Sequence, residues 1–196
     1  MKVLMLDVDG VLVNGRPRDG KHLFTDLERD LGLSRSLLQA AFFDVYWQDI
    51  VVGRDALEPR LSAVLGKIAP GLGAQTLIDY WLENDSRVDA DVLGDIDELR
   101  RGGTKVFLAT NQEHLRARYL MEDMGLGAHV DGIIYSAALG YRKPTPEFYR
   151  LAGERAGTSG EGIVFVDDVL ANVEAAKRAR WSAVLWTGEQ RLRELV

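Results

Sequence analysis

The chain has no cysteine among its 196 residues, which excludes a disulfide framework and a thiolate metal site. Histidine is scarce as well. His22, His114 and His129 lie on separate helical or loop segments without ligand spacing, so an imidazole zinc centre is not expected. No apolar run approaches the roughly 18–20 residues that a membrane span needs. The amino end enters a strand directly, without a charged leader, an apolar h-region or a cleavage site. Positive charge is in deficit: 24 Lys and Arg against 30 Asp and Glu leave a net charge of −6. That is the wrong sign for a phosphate backbone, so neither nucleic acid nor membrane is an expected partner. These absences leave a soluble, cytoplasmic protein as the expectation.

What is present is enough apolar sequence, 46%, for a real core, and enough length for one domain carrying a substantial insertion. Short runs rich in Val, Ile and Leu at 3–8, 105–109, 132–136, 162–166 and 183–186 predict five buried parallel strands. Helical patterns separate the later ones, with inward positions at Leu93, Ile96 and Leu99, at Leu115, Leu120 and Met124, and at Val173 and Ala176. Thr145 followed by Pro146 predicts another helix start. Strand alternating with helix predicts an α/β fold, a Rossmann-like parallel sheet with helices on both faces. Between Asn14 and Asp89 the rhythm breaks, and four amphipathic helical patterns replace the strands. They space Leu23, Leu27 and Leu31, then Leu38, Ala41, Phe42 and Val45 behind Ser34 as N-cap, then Leu57, Leu61 and Leu65, then Leu77, Ile78 and Trp81. The expected organisation is therefore a core of 1–14 and 90–196 with a helical unit, 15–89, inserted after the first strand. Hinges are expected in "NGRPRDG" and near "NDSRVDAD".

Ligands of an open parallel sheet bind beyond the carboxyl ends of its strands. The first expected strand ends in Asp7, Val8, Asp9 and Gly10, the second in Thr110 and Asn111. Lys143 follows the third, and Asp167 and Asp168 end the fourth. Each group taken alone can be a turn or a solvated strand end, Asp9-Gly10 most of all. Together, carboxylates converging in one crevice repel each other unless a cation sits among them. All-oxygen ligation without His or Cys points to Mg²⁺, which takes one or two carboxylates together with substrate phosphate.

"DVDGV", "ATN", "RKP" and "FVDD", in this order and on these strands, resemble the four motifs of the haloacid dehalogenase superfamily. The helical insertion resembles the cap of its subfamily IA. The resemblance covers essentially the whole chain and implies a phosphatase of small phosphorylated metabolites that works through an aspartyl phosphate. It makes Asp7 the nucleophile and Asp9 the general acid and then base. It implies that Thr110, Asn111 and nearby backbone N–H groups hold phosphoryl oxygens, and that Lys143 offsets their charge. Mg²⁺ would be held by Asp7, the backbone carbonyl of Asp9, Asp168, and Asp167 directly or through water. Asn172 stands where many relatives have an acid, to bind a metal-bound water or to face solvent. The family's dehalogenases lack an aspartate two residues after the nucleophile, so Asp9 favours phosphoryl transfer over carbon–halogen cleavage. Val11 stands where many relatives carry threonine. A phosphomutase of the β-phosphoglucomutase kind is the alternative, with a dehalogenase or a non-catalytic binding protein behind it. Arg16 and Arg18 on the first hinge either steer an anionic substrate or occupy a solvated loop, and Tyr46, Trp47 and Trp81 either line a pocket or pack a core.

Overall fold

A computed structural model describes residues 2–158 and 160–196. Strand β1 (Val3–Leu6) lies at the centre of a five-stranded parallel sheet, between β2 (Lys105–Thr110) and β4 (Ile163–Asp167). β3 (Gly132–Tyr135) and β5 (Ser182–Leu185) form the edges, in the order β3-β2-β1-β4-β5. Val3 is level with Lys105 on one side and Ile163 on the other, so β1, β2 and β4 end side by side.

Alternation along β1 feeds two cores. Leu4 and Leu6 join a cluster with Val106, Leu108 and Val166, covered by Val92 and Ile96 of α6 (Ala90–Arg101) and Leu120 of α7 (His114–Met121). Val3 and Met5 join Ile163 and Phe165 on the opposite face. There α9 (Pro146–Ala156) and α10 (Leu170–Arg178) pack through Phe148, Tyr149, Ala152, Ala175 and Ala176. Val11 is fully buried in the first cluster.

The stretch between β1 and β2 has its own core, built from Phe24, Leu27, Leu38, Phe42, Ile50, Leu57, Leu61, Leu65, Leu77 and Ile78. It comprises α1 (Leu27–Leu31), α2 (Arg35–Leu38), a π-helical turn (Gln39–Phe43), α3 (Asp44–Ile50), α4 (Leu57–Ile68) and α5 (Ala74–Asn84). The π turn corrects one sequence expectation. Its extra residue rotates α3 about its axis, so Tyr46, Trp47 and Ile50 face the cluster while Val45 is 57% exposed. Tyr46, Trp47 and Trp81 pack against this cluster, with Trp47 and Trp81 5.4 Å apart. Among the described residues no helix is long and apolar enough to cross a membrane.

The two connections between the parts run side by side. Asn14 N–H donates to Arg87 O, Arg87 N–H to Gly15 O and Asp89 N–H to Leu12 O, which makes a short two-stranded neck. Arg16 is 1% exposed, its guanidinium held by Asp19 at 2.9 Å and Asp26 at 2.6 Å. It therefore neither steers a substrate nor lies in a solvated loop: it fastens the neck's first connection. A second contact joins the parts where the buried hydroxyl of Ser136, the first residue of α8 (Ser136–Leu139), donates to Val51 O, with Gln112 O 3.1 Å away, and Gly53 closes on Ala137.

Candidate active site

Four strand ends meet at a crevice of about 370 Å³, lined by Asp7, Asp9, Gly10, Thr110, Asn111, Lys143, Asp168, Val169 and Asn172. A larger depression of about 910 Å³ lies on the flank between α9 and α10, away from the strand ends. Asp7 follows directly on β1, where its N–H still donates to Val166 O. Its carboxylate accepts from Val8 N–H at 2.8 Å and from Lys143 Nζ at 2.7 Å. The same ammonium reaches Asp167 Oδ2 at 2.7 Å and is itself buried.

One cation thus serves a cluster of three carboxylates. Asp7, Asp167 and Asp168 each place an oxygen within 4.8 Å of the others. Burial pushes the Asp7 carboxyl up to about 7 against the pull of Lys143, and Asp167 adds to the rise. Burial and Asp167 raise Asp168 too. Lys143 is held above its ordinary value because Asp7 and Asp167 outweigh the opposing effect of its burial. The donor set is all oxygen, short of positive charge and open to the crevice through Asp168. These residues fit a hard divalent cation.

Residues 1–180 match a family profile described as haloacid dehalogenase-like hydrolase. The chain belongs to the haloacid dehalogenase-like hydrolases. Among curated relatives of this hydrolase, the phosphatase MT3486 of Mycobacterium tuberculosis is 36% identical over 91 residues, 46% of this chain and 42% of that protein. The chain therefore matches less than half the length of that relative. The phosphoglycolate phosphatase of Aquifex aeolicus is 22% identical over 196 residues, covering 95% of this chain and 85% of that one. Among solved structures, the family enzyme BT-2542 of Bacteroides thetaiotaomicron, in complex with magnesium and inorganic phosphate, superposes with a TM-score of 0.77. It is 15% identical and covers 100% of this chain and 98% of that one, a likeness of fold.

Within the hydrolase's crevice the side chains divide differently from the sequence expectation. Asn111, expected at the phosphate, lines the crevice and uses its side-chain amide on the backbone of Lys143. It accepts from Lys143 N–H at 2.8 Å and donates to Lys143 O at 3.1 Å. Asn172 neither faces solvent nor is free for a metal-bound water through its amide N–H. That amide donates to both oxygens of Asp167 at 3.0 Å, and its own backbone carbonyl accepts from the Tyr149 hydroxyl. With Lys143 and Val169 N–H also on its oxygens, Asp167 is fully occupied, whereas Asp168 is exposed. Thr110 is buried at the crevice floor.

The Asp9 side chain stands outside the three-carboxylate cluster and is half exposed. Its Oδ2 accepts from Gln112 Nε2 at 2.6 Å, and its Oδ1 lies 3.8 Å from Arg116 Nη2. Sequence patterning does not single out Gln112, Arg116 or Asp85. The one local signal is an inward-facing arginine in the first turn of α7, beside Glu113, whose carboxylate caps that helix by accepting from Leu115 and Arg116 N–H. Asp85 is pushed up to about 6 by burial and by Asp9, against Arg116 and Trp81.

Proposed function

We propose that this hydrolase is a Mg²⁺-dependent phosphatase of small phosphorylated metabolites that carries the phosphoryl group on Asp7. The observation that carries the reading is the pairing of two unlike carboxylates on one crevice. Asp7 is buried against Lys143 at 2.7 Å, and Asp9, two residues on, stands half exposed at the mouth. That division suits a nucleophile and a proton-transfer group.

In the first step an oxygen of Asp7 forms a bond to phosphorus while the bond to the leaving oxygen breaks. Asp9 delivers its proton to that oxygen. In the second step Asp9 takes a proton from water as the water oxygen bonds to phosphorus, the Asp7–phosphorus bond breaks and inorganic phosphate leaves. Lys143 stays charged between Asp7 and Asp167 and balances the phosphoryl oxygens as charge shifts among them. Thr110 and the backbone N–H groups before α7 hold those oxygens. Asn111 and Asn172 act one layer back, by fixing the Lys143 backbone and the Asp167 carboxylate.

Asp7 and Asp168 are the residues to hold Mg²⁺, with the Asp9 carbonyl, while Asp167 anchors Lys143 beside them. A bound Mg²⁺ supplies positive charge that keeps Asp7 ionised and offsets the phosphoryl charge. The magnesium and phosphate in the BT-2542 complex support this reading, as do the phosphatase names of the relatives. The helical unit, 15–89, is read as a cap that closes over the crevice on its two-stranded neck.

The test is phosphate release from a panel of sugar, nucleotide and small-acid phosphates, with Mg²⁺ and with chelator, followed by mass spectrometry of acid-quenched enzyme. Phosphate on the peptide containing Asp7, and its absence with loss of turnover in Asp7→Asn, are the expected results. Wild-type-like turnover by Asp7→Asn overturns the reading.

A further inference from the structure

Arg116 is among the largest fully buried side chains in the molecule, yet it neither fills an apolar core nor sits in a closed ion pair. Its Nη2 is shared among three oxygens from two distant parts of the chain. It donates to Asp85 O, lies 3.3 Å from Asp85 Oδ2, and lies 3.8 Å from Asp9 Oδ1. Among the described residues Nη1 reaches only the Met124 sulfur, at 3.8 Å. Its Nε has no hydrogen-bond partner, alone in this among buried side-chain polar atoms of the described residues. A buried guanidinium with a donor left unmet is costly, so packing stability does not account for it.

Its direction is informative. Helical side chains lean toward the helix N-terminus. From the first turn of α7, fixed by the Glu113 cap, Arg116 therefore reaches back to the carboxyl ends of the strands, where Asp9 stands. Gln112, four residues earlier, holds the other Asp9 oxygen at 2.6 Å. Each oxygen of Asp9 thus faces a donor carried by the same loop–helix junction. Asp85 lies at the end of α5, where the chain returns from the helical unit to the neck.

We propose that Arg116 is a positioning residue for Asp9, orienting the carboxyl that protonates the leaving group and tying that orientation to the docked helical unit through Asp85. The inference rests on the reading of Asp9 as the acid–base group and deepens it. With Arg116 in place, the Asp9 carboxyl accepts from Gln112 on one side and faces a guanidinium at 3.8 Å on the other. Without it, Gln112 holds one oxygen and the carboxyl can swing about that contact.

A strut that merely kept α7 against the neck would affect every substrate alike. A positioner of the acid affects those whose leaving group needs a proton. The experiment compares kcat/KM for 4-nitrophenyl phosphate, whose phenolate leaves unprotonated, with that for an alkyl monophosphate. Asp9→Asn serves as the reference, together with Arg116→Met and Arg116→Lys, all verified by circular dichroism and thermal melting. Asp9→Asn should lose on the order of 10²–10⁴-fold on the alkyl ester and far less on the aryl ester. Arg116→Met should show the same pattern in smaller amplitude, about tenfold or more on the alkyl ester and within about threefold on the aryl ester. Arg116→Lys, which keeps the charge without the fork, should fall between, and it carries the test alone if the Met variant does not fold. Equal losses on both esters for the Arg116 variants, with Asp9→Asn still graded, overturn the proposal while sparing Asp9. A flat Asp9→Asn response instead overturns Asp9 as the acid, and the role of Arg116 with it.

Discussion

A Cβ built on Gly10 would lie 2.1 Å from Oδ2 of Asp168. The backbone of Gly10 has φ +83°, so a side chain there is strained as well as obstructed. The glycine lets the turn after Asp9 close directly against the most exposed member of the carboxylate cluster. Gly10→Ala must displace Asp168, and should weaken Mg²⁺ binding about 10–100-fold while costing about 1–3 kcal/mol of stability. Isothermal titration with Mg²⁺ and a urea melt measure the two effects. Unchanged Mg²⁺ affinity would show that Asp168 is not a ligand.

Asp7 gives a pH prediction of definite sign. Its carboxyl is raised by burial to about 7, so the metal-free folded state binds a proton that the unfolded state, titrating near 4, has released. Its contribution is most favourable below pH about 4 and is lost as pH rises through about 7. The stability of wild type relative to Asp7→Asn should fall across that window in chelator. Saturating Mg²⁺ should reverse the fall, and Mg²⁺ affinity should rise with pH over the same range. Thermal melts of both proteins at several pH values, with and without Mg²⁺, supply the comparison.

Asp95 predicts the opposite sign, far from the crevice. Arg191 places two nitrogens on it, at 2.6 and 3.0 Å, which brings the residues around the buried Leu192 back onto α6. The Arg191 guanidinium holds the Asp95 carboxyl below its ordinary value. This contribution is fully present above the unfolded pKa of about 3.9 and is lost as pH falls through the lower folded value. Asp95→Asn should therefore melt below wild type at pH 7, with the gap closing in acid below pH about 4. A constant gap across that range would mean the pair is not what Asp95 contributes.

The crevice continues past Asp9 into a recess of about 360 Å³ that includes His22 and Leu23 of the helical unit and Arg87 of the neck. Under the proposed function, groups there meet the leaving portion of a substrate, whereas Lys143 meets the phosphoryl group common to all. His22→Ala and Leu23→Ala should reorder kcat/KM across a phosphate panel, by about 10-fold or more for individual esters. Lys143→Ala should depress every ester alike. Cap variants that lose all esters in equal proportion would show that choice of substrate lies elsewhere.

Much of the fold is legible along the chain because it rests on local rules. Runs of Val, Ile and Leu mark the five strands, periodicity marks the helices between them, and Thr145-Pro146 marks the start of α9. Asp7, Asp9, Thr110, Lys143, Asp167 and Asp168 stand out because parallel topology sends every strand end to the same edge. The same local rules misplace Val45, since a single π turn shifts the register without changing the composition.

What only the tertiary structure decided is how those groups are held. Arg16 has the local setting of a loop cation and proves to be buried between Asp19 and Asp26. Asn111 is 32 positions from Lys143, and Gln112 is 103 positions from Asp9. Such pairs meet because β2 lies between β1 and β3, and no periodicity or capping rule reaches that far. The sequence by itself determined which chemical groups arrive at the crevice, because strand order and alternation follow from short-range apolar patterning. Which of them face the reacting centre, and which spend their hydrogen bonds fixing a neighbour, is settled by partners that the folded backbone brings within about 3 Å of one another.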